Sequence, residues 1–503
     1  MKKNIYKVIC TLLLLAVVQT SCKKGFEEIN TDPNNSPTAL PEQLLAPALV
    51  NTLAANMLRA RTWNNELMQV TVNETDGEGA VFRYDIRISN ADYTYNNLYA
   101  QLTNFKDLYN IAGQPLTLSK GYQGIALICQ SWVYSILTDT YGDIPYFQSN
   151  EGKDLLFKPV FDKQKDIYLD IFKQLEAANT LLTGAPNVVG ASDPVFNGNA
   201  AQWRKFGNSL YLRLLMRLSG KAEVAALVQA KIKDMVDNNA ATYPIMASNT
   251  DAAVLKWTGT GALTSPFVNG VREQDWRAPA IASFFLDNLN KWADPRLPAW
   301  SIGTYNGGYV GVPSGYLPGN APVGKSYFLS NIQGSNMAAK SLLTDPLMGN
   351  IMNYGELQFL LAEASVKGYI STGTAKAYYD KGVEAGVTFW VPTYFTSPIT
   401  VATYEAAADI TWNDTFSLDT KMEMIHVQKY YTMFWTDFEQ WFEYRRTGHP
   451  NIPKGPGLVN GGVMPARLMY PQYIQAVNPT NYKAAVAAQG PDVISTQVWW
   501  QKP

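Results

Sequence analysis

From Pro41 onward apolar residues recur every three to four positions: Leu44, Leu45, Ala48, Leu49, Leu53 and Met57 mark one face of an amphipathic helix. The same period predicts further helices at about 93–112, 119–140, 162–183, 201–219, 222–238 and 277–291, then at 352–368, 374–388, 421–446 and 480–489. In the fifth of these, Leu210, Leu214 and Leu218 stack on one face while Arg213 and Arg217 share another. Few runs alternate with period two; the stretch from Arg83 to Ile88 reads as a short strand. The pattern is mainly α, helix hairpins joined by short turns, and the absence of an exact repeat makes any tetratricopeptide-like units degenerate.

Two segments interrupt the helices. Residues 250–349 form a loop-rich insertion dense in Gly, Pro, Tyr and Trp, and the stretch from Trp63 to Tyr99 is a second excursion. Long loops on a rigid scaffold are where binding surfaces are usually placed. The amino-terminal pattern is different again. Lys2, Lys3 and Lys7 precede the apolar run Val8 to Val18, and Thr20-Ser21 lead to Cys22. A basic start, a short apolar run and small residues read as an export signal over 1–21. The run is too short to span a bilayer, which takes about 20 apolar residues. Cys22 directly after Thr20-Ser21 resembles a bacterial lipoprotein signal, with Gln19 departing from the usual Leu, and the resemblance implies acylation of Cys22. Residues 22–40 are polar and turn-rich, a tether to one domain over 41–503.

Charge and composition narrow the function by exclusion. The 41 Lys and Arg nearly balance 42 Asp and Glu, and loss of Lys2, Lys3 and Lys7 takes the net charge from −1 to −4. That leaves no electrostatic footprint for nucleic acid and no polybasic patch. Two His and three Cys could barely furnish a four-ligand zinc site. With Cys10 removed and Cys22 acylated, only Cys129 remains; no disulfide is possible, and it reads as a small buried hydrophobe.

Short motifs then run in a consistent order along the chain. They are Phe26-Glu27-Glu28-Ile29-Asn30-Thr31-Asp32-Pro33-Asn34, Leu137-Thr138-Asp139-Thr140-Tyr141-Gly142-Asp143-Ile144-Pro145-Tyr146, Trp203-Arg204-Lys205-Phe206-Gly207-Asn208-Ser209-Leu210 and Asp294-Pro295-Arg296. Phe359-Leu360-Leu361-Ala362-Glu363-Ala364, Gln428-Lys429-Tyr430, Arg445-Arg446-Thr447-Gly448-His449-Pro450 and Trp499-Trp500 follow. This series resembles the SusD/RagB family of nutrient-binding outer membrane lipoproteins. The resemblance implies a right-handed superhelical scaffold of tetratricopeptide-like hairpins with long loop insertions. It further implies a lipid-anchored protein on the outer face of the outer membrane, partnered with a SusC-like TonB-dependent transporter. An oligosaccharide is the family's default ligand, a peptide the alternative; no cofactor and no nucleic acid is implied.

The family motifs themselves read mostly as scaffold: Glu363 and Lys367 form an i,i+4 pair, and Arg445 and Arg446 end a helix. Ligand contacts are expected instead near the loop excursions. A sugar offers C–H faces to Trp or Tyr and hydroxyls to amide, Arg or carboxylate groups, a mix supplied by Trp63, Arg83, Tyr84, Tyr93, Tyr95 and Asn96, and by Trp257, Trp276, Arg277, Trp300, Tyr305 and Tyr309. Each competes with plain packing, since aromatics bury large areas. Glu74, Asp76, Glu78 and Asp85 parody a calcium loop around Gly79, although Glu stands first and Asp last. Gly319 to Ser326 fits Gly-x4-Gly-Lys-Ser, but Pro318 and Pro322 and the lack of a following helical pattern make it a loop coincidence. No His-Glu-x-x-His or Gly-x-Ser-x-Gly occurs, so the sequence argues for a binder, not an enzyme. A helical surface glycoside hydrolase, which needs only a well-spaced carboxylate pair, and a purely structural surface protein are the alternatives.

Overall fold

The computed structural model describes residues 39–502 except 273–274, 277, 305–306 and 330–340. Helix α1 (Pro41–Thr62) starts on a proline, whose missing N–H is no loss in a first turn, and buries Leu45, Ala48, Leu49, Leu53 and Met57. It is followed by α2 (Asn90–Ile111), α3 (Lys120–Tyr141), α4 (Gln164–Leu182), α5 (Ala200–Leu218) and α6 (Ala225–Lys233). Each packs against the one before it, a serpentine of antiparallel hairpins. The Ser119 and Asn199 side chains accept from Tyr122 N and Gln202 N, starting α3 and α5 on exposed N–H groups that would otherwise be unpaired.

The second half contains α7 (Ser283–Lys291), α8 (Tyr354–Val366), α9 (Ala375–Trp390), α10 (Val401–Ala408), α11 (Leu418–Thr432), α12 (Glu439–Thr447) and α13 (Pro479–Gln489). Helices α8, α9 and α11 pack mutually, and α8 also meets α5. Three two-stranded antiparallel ribbons interrupt the helices: β1 (Thr71–Asn73) with β3 (Pro279–Ile281), β2 (Ala253–Val254) with β6 (Asn350–Met352), and β4 (Ser301–Ile302) with β5 (Tyr327–Phe328). The fold is mainly α with tetratricopeptide-like hairpins, as the periodicity predicts. No helix among the described residues is long and apolar enough to cross a membrane.

Several motifs now have a physical reason. Gly142 ends α3 at φ +84°, and a Cβ there would sit 1.8 Å from Gln489 Oε1; that oxygen accepts from Asp143 N (2.6 Å), tying α3 to α13. The arginine face of α5 is buried completely. Arg213 donates from Nε and Nη2 to Glu356 of α8 (both 2.7 Å), and Arg217 donates to Asp139 of α3 (2.8 Å) and Glu439 of α12 (2.5 Å). These ion pairs staple the two halves around α5. Arg445 and Arg446 are likewise scaffold. Arg446 forks onto Glu363 (2.7 and 2.5 Å) and reaches Glu443, while Arg445 lies 4.0 Å over the Trp441 ring and donates to Asp139 O (2.6 Å). Glu363 pairs with Lys367 at 2.7 Å, and Cys129 is free and buried.

Three local expectations are corrected. The predicted helix 277–291 is strand β3 followed by α7, because residues 279–281 pair with β1. The long helix expected over 421–446 breaks between α11 and α12, where Trp435 and Asp437 take positive φ (62° and 42°). The stretch 83–88 is no strand: Val81–Arg83 is a single 3-10 turn and Tyr84 is left-handed, and the strand lies upstream at Thr71–Asn73. Helix α10, which the periodicity did not reveal, starts on a Thr400–Thr403 capping box. Cys22 and the signal over 1–21 lie outside the described residues.

Candidate functional site

The β1–β3 ribbon joins the two loop excursions, residue by residue from Thr71↔Ile281 to Asn73↔Pro279. At this junction lies a narrow slot of about 10 Å³, lined by Arg61, Asn65, Thr71, Trp276, Pro279, Phe328 and Trp435. Its parts come from the end of α1, the turn after it, β1, β3, β5 and the break between α11 and α12. The indoles of Trp276 and Trp435 lie nearly parallel, 13° apart with centroids 6.1 Å from each other, and Phe267 packs on both. The polar atoms are distinctive. Arg61 Nε, Asn65 Nδ2, Thr71 Oγ1, Trp276 Nε1 and Trp435 Nε1 are all buried and, among the described residues, have no hydrogen-bond partner. Buried polar groups are nearly always paired, and each unpaired one costs about 1–3 kcal/mol. Five around one slot mark a place built to be filled.

Electrostatics point the same way. Arg61 donates from Nη1 to Asp275 O (3.0 Å), and no described ion pair includes it. Burial lowers its pKa, opposed by the charges of Glu66 and Asp275. Asp275 itself is engaged by Arg272 (2.6 and 3.0 Å). Glu66 is buried, accepts from Phe82 N (3.2 Å), and is pushed up to about 8 by desolvation, against the opposing pull of that hydrogen bond and of the Arg61 charge. The folded chain therefore holds the Glu66 proton more tightly than the unfolded one. Its contribution to stability is full below the unfolded pKa of about 4.3 and is lost as pH rises towards 8. Glu66→Gln, which still accepts from Phe82 N, should match the parent near pH 4 and exceed it in stability near pH 9. Urea midpoints at the two pH values check this.

Of the aromatics expected to contact ligand, most serve the core, where their faces are covered. Trp300 is fully buried among Phe285, Trp390 and Phe434, the last with its centroid 4.6 Å away. Trp257 Nε1 donates to Met57 Sδ (3.2 Å), Trp63 packs edge-on to Trp441, and Tyr95 packs on Tyr99 and Tyr141. Tyr84 is buried too. Arg83 is a loop clamp: it donates to Tyr316 O (2.9 Å) and Thr75 O (2.7 Å), pairs with Asp76 and lies against both the Phe82 and Tyr316 rings, which stack on each other. Burial follows from the large apolar area of these rings. Tyr93, Asn96 and Tyr309 keep solvent exposure. Tyr93 carries Arg59 over its face at 4.3 Å, and Asn96 Oδ1 accepts from Tyr473 Oη (2.5 Å). Arg277 and Tyr305 lie outside the described residues. Trp276 alone of the set joins the slot. Arg61, Asn65, Thr71, Phe328 and Trp435 were not anticipated; the aromatic-rich stretch Tyr430-Tyr431-Thr432-Met433-Phe434-Trp435 leading into a helix break was the available signal for the last.

The four acids of the calcium-loop pattern do not turn to one point. Glu74 pairs with Lys325, Asp76 with Arg83, Glu78 with Arg87 (3.4 Å), and Asp85 accepts from Gly79 N (2.6 Å), so the four acids turn to four different partners. The same Lys325 is the lysine of the Gly-x4-Gly-Lys-Ser match, and its loop leads into strand β5. Glu363, His426 and Glu443 do converge, with ligand atoms within 4.8 Å. Arg446, Lys367 and Lys429 already hold the two carboxylates, and a dication would add charge to a site with three cations for two anions. Burial pushes the His426 pKa down to about 3, keeping the ring neutral. A cavity of about 340 Å³ beside Trp499 is lined by polar groups that satisfy one another: Lys165 and Trp499 Nε1 both donate to Glu223 (2.9 and 3.1 Å), and Lys502 donates to Gln489 O (2.6 Å).

Comparison with known proteins fits this scaffold. The chain is similar to a SusD homologue from Bacteroides fragilis at 26% identity, over 92% of this chain and 100% of that one, with a TM-score of 0.76. A chitin-binding protein is similar at 26% identity over 92% and 99%, TM-score 0.74. A chitin-binding SusD homologue from Flavobacterium johnsoniae shares the fold at 20% identity over 92% and 98%, TM-score 0.74. No curated protein sequence matches. A SusD-like family model, described as starch-binding and associating with the outer membrane, matches residues 33–471. With that match spanning most of the domain, and the hairpin scaffold beneath it, the chain belongs to the SusD-like family.

Proposed function

We propose that this protein captures a glycan at the cell surface and delivers it to a SusC-like TonB-dependent transporter, without altering it chemically. The observation that carries the reading is the slot at the β1–β3 junction, where both loop excursions meet and buried donors await a ligand's oxygens. Family membership supports nutrient binding at the outer membrane, and two similar proteins are named as chitin-binding. Anchoring through an acylated Cys22 on the extracellular side, with 22–40 as tether, completes the proposal; a lipid together with a protein partner holds more durably than one acyl chain. Tyr93, Asn96 and Tyr309, which keep solvent exposure, are proposed as further ligand contacts, with Trp276 at the wall of the slot.

Affinity electrophoresis of the mature chain through gels holding soluble polysaccharides, with a reducing-end assay on the same mixtures, separates the readings. Retardation without new reducing ends is the expected result. Turnover that disappears when one carboxylate is replaced would establish the glycosidase instead. Retention by peptides alone would make this a peptide-binding member of the family.

A further inference from the structure

We infer that the slot beside Trp276 and Trp435 selects an anionic saccharide, by receiving one oxygen of a carboxylate or sulfate borne on the sugar. The inference rests on the glycan-binding reading and goes beyond it by naming the ligand's charge.

The argument is one of donors and acceptors. An indole nitrogen, a guanidinium nitrogen and an amide nitrogen can only donate; of the five unpaired atoms, Thr71 Oγ1 alone can accept. Asn65 turns its own oxygen to Asn64 Nδ2 (3.5 Å), leaving its amide nitrogen for the slot. A water molecule has two lone pairs and two hydrogens. It would quiet two donors and bring two more hydrogens needing acceptors, of which the unpaired side-chain atoms supply one, the Thr71 hydroxyl. A carboxylate or sulfate oxygen only accepts, and such charge-assisted bonds are about twice as strong as neutral ones. The volume, about 10 Å³, has room for one such atom and not for a sugar ring, so the ring stays at the mouth. Charge agrees: Arg61 stands at the slot with no described ion-pair partner, and burial raises the pKa of the neighbouring Glu66 to about 8. Asn65, Thr71, Trp276 and Trp435 are all more than nine-tenths buried, so the donors are held in place before a ligand arrives.

Indole N–H resonances of the 15N-labelled mature chain report the slot directly. Trp276→Phe and Trp435→Phe assign the two signals. Sodium glucuronate, glucose and sodium acetate are the probes. Saturable movement of both signals with glucuronate, little with glucose, and affinity about tenfold weaker in Asn65→Leu is the expected outcome. Thr71→Val serves where Asn65→Leu does not fold, as judged from the remaining indole signals. Equal movement by glucose and glucuronate, or none by glucuronate, overturns the inference, and neutral glycans retained on gels would then still uphold glycan capture. Acetate acting as strongly as glucuronate supports the anion slot while removing the sugar from its recognition, which counts against the glycan reading and not against the slot.

Discussion

Arg217→Ala is expected to lower stability by about 3–5 kcal/mol. The side chain is wholly buried and donates to Asp139 at 2.8 Å and to Glu439 at 2.5 Å. Its removal strands two buried carboxylates. Asp139 keeps bonds from Tyr168 (2.7 Å) and Trp500 (2.8 Å), but these are neutral donors. Burial is the largest cause pushing the Asp139 pKa up, with Arg217 the main opposing charge. The variant should therefore regain stability relative to the parent at lower pH, where the stranded Asp139 takes up a proton. Urea denaturation at two pH values measures the loss and its pH dependence; a loss under about 1 kcal/mol, the size of an exposed pair, would refute the staple.

Trp300→Ala follows at about 3–5 kcal/mol, by cavity formation. The ring fills the space between Phe285, Trp390 and Phe434, and Arg296 lies 5.6 Å over it. The substitution separates two roles for this tryptophan. A core role predicts a lowered denaturation midpoint with glycan affinity per folded molecule unchanged. A platform role predicts lost affinity at unchanged stability.

These two residues show how unevenly the chain discloses itself. On α5 the period of 3.6 placed Leu210, Leu214 and Leu218 on one face and Arg213 and Arg217 on another, and that division survives in the structure. What periodicity could not show is that the arginine face is inside too, because Glu356, Asp139 and Glu439 come from far along the chain. The break at 433–438 was hidden because apolar residues continue through it, while the left-handed backbone at Trp435 and Asp437 is set by tertiary contacts such as Asn56 and Trp132 donating to Asp437 (both 2.8 Å). The two excursions were legible as loops, and so was their promise. Their junction was not, since a three-residue ribbon between positions some 200 apart leaves no local mark. For the same reason the burial of Trp63, Trp257 and Trp300 was out of reach. An aromatic's neighbours, not its own flanks, decide whether its face is free.

The central claim, capture for a transporter, is tested most directly by gentle detergent solubilisation of the outer membrane, purification through this chain, and mass spectrometry of what accompanies it. The account predicts a large TonB-dependent β-barrel in stoichiometric amount, an acylated Cys22 at the amino terminus, and a retained oligosaccharide carrying acidic groups. Recovery of the chain alone, unacylated and without glycan, would contradict it.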